Sequence, residues 1–294
     1  MILCIGDILV DMFGGEENGK MKFDGCCGGA TFNLAVGAKK AGATVGFVGK
    51  VGKGVLGKYL IKQAEKAKFD YLDIQVDKER NTTVAFVVIN DGERDFTFNR
   101  HETTDYNIEF NKVDFNKYKD VKILLLGSTM LAKPEGRKFA KKLFKKAKKM
   151  GVKVAFDVNF RQDFYKDFAQ AVKAYEPYVK GVDIVKFSND EIEMYTGISD
   201  IEKAVESICR KDQLFIVTEG GEGSFYYYNG KKGRVSTEKV VPIDTTGAGD
   251  AFFGTFLAEL ENKEWTAQNF EDALTIANKA GAQVTQFIGA VQLD

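Results

Sequence analysis

The chain has 294 residues, is 44% hydrophobic, and carries 42 basic against 42 acidic side chains. That size supports a large core in one α/β domain or two smaller ones, and the charge balance argues against nucleic acid or an anionic membrane as partner. A single histidine, His101, and four cysteines without C-x-x-C spacing leave little for a zinc site or a Ser-His-Asp triad.

The first seven residues have neither the basic region nor the long apolar core of a secretion signal. No apolar run approaches the ~20 residues that span a bilayer, so a cytoplasmic location is expected. Residues 2–10 read as one buried strand ending at Asp11, where open α/β sheets place ligands. Residues 14–25 are glycine-rich and charged, a loop or small exposed hairpin. Cys26-Cys27 reads as two small buried residues, and Gly28-Gly29 opens a helix that carries Asn33. Taken alone, this is a loop-to-helix junction with small packing residues.

Residues 45–51 predict a strand and 56–68 a helix. Between them, residues 52–57 fit G-x-G-x-x-G, with Asp70, Asp73 and Asp77 downstream, which keeps an NAD-dependent oxidoreductase open. The same stretch nearly fits a Walker loop, but Tyr59 stands where a small hydroxyl must hold Mg²⁺. Residues 82–89 and 94–100 alternate around Asn90-Asp91-Gly92, a hairpin signal, and Arg100 at its end could be a surface arginine. Residues 121–127 form a buried strand ending at Gly127-Ser128. Residues 138–150 are lysine-rich but apolar at helical spacing, an amphipathic surface helix rather than a nucleic-acid patch.

Another strand, 152–157, leads into Asp157-Val158-Asn159-Phe160-Arg161, in which Asp and Arg could form a surface pair. Strand 182–187 leads into Ser188-Asn189-Asp190-Glu191 and a helix to Gly197; taken alone, Glu191 reads as a helix-start acid. Strand 214–218 precedes Glu219-Gly220-Gly221-Glu222-Gly223, and 225–228 with 234–241 make a second hairpin across Asn229-Gly230.

The organising stretch is Asp244-Thr245-Thr246-Gly247-Ala248-Gly249-Asp250, ahead of the apolar run 251–257. It reads as a tight turn opening a helix, whose unpaired N–H groups and positive dipole end can bind an anion. A carboxylate there repels an anion unless it serves the atom that attacks phosphorus, so Asp250 points to phosphoryl transfer. An ordinary glycine turn capped by Asp244 or Thr246, with Asp250 as a first-turn acid, fits these residues too. Strands alternating with amphipathic helices predict an α/β fold, a three-layer αβα sandwich with a mostly parallel central sheet.

The string at 244–250 resembles the C-terminal signature of the ribokinase-like (PfkB) carbohydrate kinases. Gly28-Gly29-Ala30-Thr31-Phe32-Asn33-Leu34-Ala35 resembles their N-terminal one. The resemblance covers residues 1–294 as a single kinase domain, with a small β lid from about 12–25 and 82–105. It implies ATP-dependent phosphorylation of a sugar's primary hydroxyl, with Asp250 as base and Gly247, Ala248 and Gly249 receiving the γ-phosphate charge. It assigns Asp11, Gly28, Gly29 and Asn33 to sugar hydroxyls, with Arg100 and Arg161 reaching the substrate.

On the nucleotide side it places Asn159, Arg161, Lys186, Ser188, Thr218, Gly220, Gly223, Gly247, Gly249 and Asn278. Glu191 would hold Mg²⁺ through waters, and K⁺ would sit near Asp244 and Thr246. The run 94–105, Gly127-Ser128 and the string 186–191 are most similar to fructokinases, so fructose is the expected sugar and 2-keto-3-deoxygluconate its rival. No glutamate stands near residue 127, against ribose. Lys53 and Gly54 replace two family acids, Val158 a proline and Ser188 an asparagine. A sugar-binding regulator is the third reading; it has no use for Asp250. Exposed lid edges make a homodimer an expectation.

Overall fold

The computed structural model describes residues 1–90 and 93–293. In chain order the first strands are β1 (Ile2–Ile5), β2 (Leu9–Glu17), β3 (Lys20–Gly28), β4 (Val45–Gly52), β5 (Tyr71–Asp77), β6 (Val84–Asn90) and β7 (Glu93–Asn99). They are followed by β8 (Ile123–Leu126), β9 (Lys153–Asp157), β10 (Ile184–Ser188), β11 (Leu214–Thr218), β12 (Ser224–Tyr228) and β13 (Lys231–Val235). The α-helices are α1 (Ala30–Lys40), α2 (Val55–Lys66), α3 (Pro134–Met150), α4 (Phe168–Val179), α5 (Asn189–Thr196), α6 (Ile201–Ile208), α7 (Ala248–Leu260) and α8 (Ala267–Val284). None is long and apolar enough to cross a membrane.

Nine strands form one sheet in the order β13-β12-β11-β10-β9-β8-β1-β4-β5, with parallel ladders everywhere except those of the β11-β12-β13 edge. Its alternating side chains feed two cores. Leu3, Ile5, Leu124, Leu126 and Phe187 pack with Phe139, Leu143 and Tyr175 of α3 and α4. Ile2, Cys4, Ile123, Leu125 and Ile184 pack with Phe32, Phe253, Phe256 and Leu274 of α1, α7 and α8. Period-two alternation with helices on both faces gives the three layers, and it explains why these strands read as continuous apolar runs.

The strand order reverses between β1 and β8: the chain winds outward through β4 and β5, then returns and builds the other half. Such a switch point opens a crevice at the carboxyl ends of the strands, which is where ligands of open sheets bind. A separate four-stranded sheet, β3-β2-β6-β7, stands apart from it.

Two expectations change, and one left open between a loop and a hairpin is decided. Residues 2–10 are two strands, because the chain leaves the main sheet at Gly6-Asp7-Ile8 and enters the small one at Leu9. An apolar run cannot reveal that switch, since Ile5, Ile8 and Val10 are buried on either side of it. Residues 14–25 belong to a third hairpin, with nine residues in each arm, β2 and β3. Finally, the second strand of the last hairpin stops at Val235 instead of 241. The Asn229-Gly230 turn does have both φ values positive, at 50° and 78°, as type I′ requires. The Asp91-Gly92 turn lies outside the described residues.

Candidate active site

At the switch point, the loop from Thr245 to Gly249 separates two hollows. One is a cavity of about 440 Å³ that contains Asp11, Asn33, Arg100, Asn159, Arg161, Lys186 and Asp250. The other is a groove of about 410 Å³ that contains Thr218, Gly220, Gly223, Ala248 and Asn278. Thr245 and Gly249 line both. The sugar-side residues that line a hollow all line the cavity, whereas the nucleotide-side ones divide: Thr218, Gly220, Gly223 and Asn278 line the groove, but Asn159, Arg161, Lys186 and Gly247 line the cavity.

Gly247 is the N-cap of α7 at φ 77°, in the left-handed region. A Cβ there would lie 2.5 Å from the Ala290 Cβ, so glycine is required twice over, by conformation and by space. Ala248 N–H reaches the Thr245 carbonyl at 3.3 Å; the other N–H groups of the first turn have no partner within the helix. Asp244 is buried and pins the loop: its carboxylate accepts Thr246 N–H at 2.7 Å and Gly289 N–H at 2.8 Å.

Asp250 is the third residue of this helix and accepts a hydrogen bond from Asn33 Nδ2 at 2.9 Å. Burial raises its pKa, opposed by the Asn33 bond and by the charges of Lys186 and Arg161. Asn33 Oδ1 has no partner among the described residues. Asp11, on β2, faces the same cavity; burial, with Asp250 and Asp7 nearby, pushes its pKa up to about 7. Gly28, on the paired strand, is not a lining residue. A Cβ there would lie 1.9 Å from Asp11 Oδ2, so its lack of a side chain makes room for that carboxylate.

Lys186, at the carboxyl end of β10, is buried against Asp157 at 3.1 Å. Burial alone would discharge it, but Asp157, Glu191 and Asp250 outweigh that and raise its pKa. Its Nζ would lie 3.1 Å from a Cβ on Gly249, which puts a buried ammonium beside the helix start. Asn159 holds φ 38°, unusual for a non-glycine residue, and its buried Nδ2 has no partner among the described residues. Arg161 is exposed at the cavity edge, rather than paired with Asp157.

Ser188 and Glu191 lie outside both hollows and form a capping box at α5. The Glu191 carboxylate accepts Ser188 N–H at 2.8 Å and Phe160 N–H at 2.6 Å, tying β10 to the Asn159–Arg161 turn. Among the described residues no three His, Cys, Asp or Glu side chains cluster as direct metal ligands. Asn278 donates to the Val235 carbonyl at 2.9 Å and closes the groove against β13.

Sequence reasoning missed several contributors. Asp7 caps α1 from a distance, accepting Ala30 N–H at 3.0 Å and the Thr31 hydroxyl at 2.6 Å, and it lines the cavity. Phe98, Phe164 and Thr129 line it too. A lone aspartate inside an otherwise apolar run was the available signal for Asp7. The other three answer to no local pattern.

A parallel sheet with its switch point at a helix start, a polar cavity on one side and a groove on the other define a class, the ribokinase-like kinases. Solved structures have the same fold. The chain matches a fructokinase from Vibrio cholerae, solved with fructose, ADP and calcium, at 28% identity and a TM-score of 0.89, covering 99% of this chain and 94% of that one. It matches an ATP-bound fructokinase from Xylella fastidiosa at 25% identity and TM-score 0.88, covering 98% and 93%. In sequence it is 32% identical over 303 residues to a protein named "Probable fructokinase-7" in Arabidopsis thaliana, covering 99% of this chain and 88% of the relative. The model of the pfkB family carbohydrate kinases matches residues 1–293, and the chain belongs to that family. It is a carbohydrate kinase, most similar to fructokinases at modest identity.

The dinucleotide reading of residues 52–57 is thereby overturned. Two of its three downstream acids are already engaged: Asp70 accepts Val45 N–H at 2.8 Å and the Lys39 ammonium at 2.7 Å, while Asp77 pairs with Lys50 at 2.8 Å.

Proposed function

We propose that the chain transfers the γ-phosphoryl group of ATP to the primary hydroxyl of fructose. The observation that carries this reading is Asp250, held by Asn33 on the first turn of α7, at the loop shared by both hollows. In this reading the sugar lies in the cavity, with hydroxyls on Asp11, Gly29 and Asn33. The nucleotide lies along Thr218, Gly220, Gly223 and Asn278. The Vibrio cholerae relative solved with fructose and ADP supports a site that takes a sugar and a nucleotide together.

Asp250 takes the hydroxyl proton as the oxygen attacks phosphorus. The N–H groups of Gly247, Ala248 and Gly249, with Lys186, Asn159 and Arg161, meet the charge that spreads over the transferring oxygens. A loose transition state asks first for positioning, so a carboxylate serves as base. Mg²⁺ entering with the nucleotide would neutralise phosphate charge. Glu191 fits holding it through water, since each of its oxygens accepts one backbone N–H and keeps further acceptor capacity. Asp244 and Thr246 would flank K⁺.

The cavity is lined by five aspartates against two arginines and one lysine, which favours a neutral sugar over 2-keto-3-deoxygluconate. The small sheet serves as lid, and its edge strands β3 and β7 support a homodimer through it, to be read as a doubled mass by light scattering. The deciding experiment is ATP-dependent transfer to fructose, 2-keto-3-deoxygluconate, ribose and adenosine, with NAD binding as control. Fructose should give the highest kcat/KM. A higher value for the keto acid would overturn the sugar assignment, and no transfer at all would overturn the kinase chemistry.

A further inference from the structure

Arg100 enters the cavity from the end of β7, and its surroundings are unlike those of an anion receptor. Its Nε donates to Asp105 Oδ2 at 2.6 Å, and Nη2 donates to the Thr129 carbonyl at 2.7 Å while pairing with the same Asp105 oxygen. The guanidinium lies 4.1 Å over the Phe164 ring and 5.3 Å from that of Tyr106. Only Nη1 is left without a hydrogen-bond partner among the described residues, and Arg100 lines the cavity.

Asp105 is itself over-determined. It is 1% exposed, and its second oxygen accepts the hydroxyls of Thr83 and, at 2.7 Å, Thr103. These contacts fix its place whether or not a substrate is present. A buried carboxylate held against a buried guanidinium cancels most of the charge that a ligand would feel, while leaving the two N–H donors of Nη1 in place.

Resting on the sugar-kinase reading, we propose that Asp105 is a specificity-determining residue. By neutralising Arg100 it leaves only the Nη1 amino group, suited to a sugar hydroxyl or keto oxygen, and makes the same pocket reject a carboxylate. A carboxylate in Arg100's reach would meet Asp105 across the guanidinium, in a cavity that Asp11 and Asp250 also line. It would lose the cationic partner that its desolvation demands. A hydroxyl suffers no such loss.

The experiment compares wild type, Asp105→Asn and the double variant Asp105→Asn/Arg100→Met. Binding of fructose and of 2-keto-3-deoxygluconate is measured by calorimetry, and turnover of each is measured separately. Asp105→Asn leaves Arg100 with an uncompensated charge, so the ratio of acid to fructose affinity should rise at least tenfold over wild type. A merely structural role for Asp105 would weaken both ligands together and leave that ratio unmoved, which would overturn the proposal.

If Asp105→Asn fails to fold, the double variant decides, because buried ion pairs are often replaced by apolar or neutral groups without loss of stability. Its pocket is as uncharged at this point as that of wild type, so the ratio should match wild type within threefold. A drop beyond that would mean Arg100 already acts as an anion receptor in the native protein, and the proposal would fall. Failure of the sugar-kinase reading shows itself elsewhere, as no turnover of either sugar by wild type, while the binding ratio still tests Asp105.

Discussion

Asp250→Asn should lower kcat for sugar phosphorylation by about 10²–10⁴, with the sugar KM changed little. Asparagine fills the same space and can still accept the Asn33 Nδ2 hydrogen bond, so the pocket persists; what disappears is the capacity to take a proton. The loss amounts to ~3–5 kcal/mol of transition-state stabilisation. The pH profile adds a second signature. Burial raises the Asp250 pKa, and the base works only when ionised, so the acid limb of kcat/KM should lie above that of an ordinary aspartate. Asn33 is the strongest of the groups opposing that rise, so Asn33→Ala should move the limb to still higher pH. Steady-state kinetics across pH checks both. A full-speed Asp250→Asn enzyme would remove Asp250 from the chemistry.

What the sequence made legible were the parts whose chemistry is local. The anion loop and its base lie within seven consecutive residues, and Gly247 must be glycine because of φ 77° in its own backbone. The three-layer fold was legible because strands covered on both faces must be apolar throughout, as all four residues of β8 are. Illegible were features created by chain segments that meet only in the fold. Arg100 reads as a hairpin surface residue until Phe164 and Thr129, from other loops, close over it. Asp7 looks like the interior of one long strand until it caps a helix that begins at Ala30. Glu191 illustrates a middle case: the Ser-x-x-Glu spacing announces a capping box, but nothing local announces its bond to Phe160 N–H.

Asp11 supplies the prediction with the largest effect on stability. Its folded pKa of about 7 lies well above the ordinary aspartate value of about 3.9, because burial and the neighbouring Asp250 and Asp7 disfavour its charge. Between those two values the folded chain keeps a proton that the unfolded chain has released. This group's contribution is therefore fully present below about pH 4 and is lost as pH rises through 7. A shift of that size corresponds to at most about 4 kcal/mol. Asp11→Asn removes the penalty without changing the shape of the side chain. Its Tm should match wild type below about pH 4, where Asp11 is neutral folded and unfolded alike, and exceed it by roughly 4–8 °C near pH 8. The same variant should raise the sugar KM by about tenfold or more, since an amide offers fewer acceptor sites to sugar hydroxyls than a carboxylate. Thermal melts at the two pH values and sugar titrations test the pair together. A Tm offset independent of pH would show that Asp11 ionises freely in the fold. An offset that grows with pH while affinity falls would mean that the cavity holds a carboxylate at the expense of the fold because the substrate requires it.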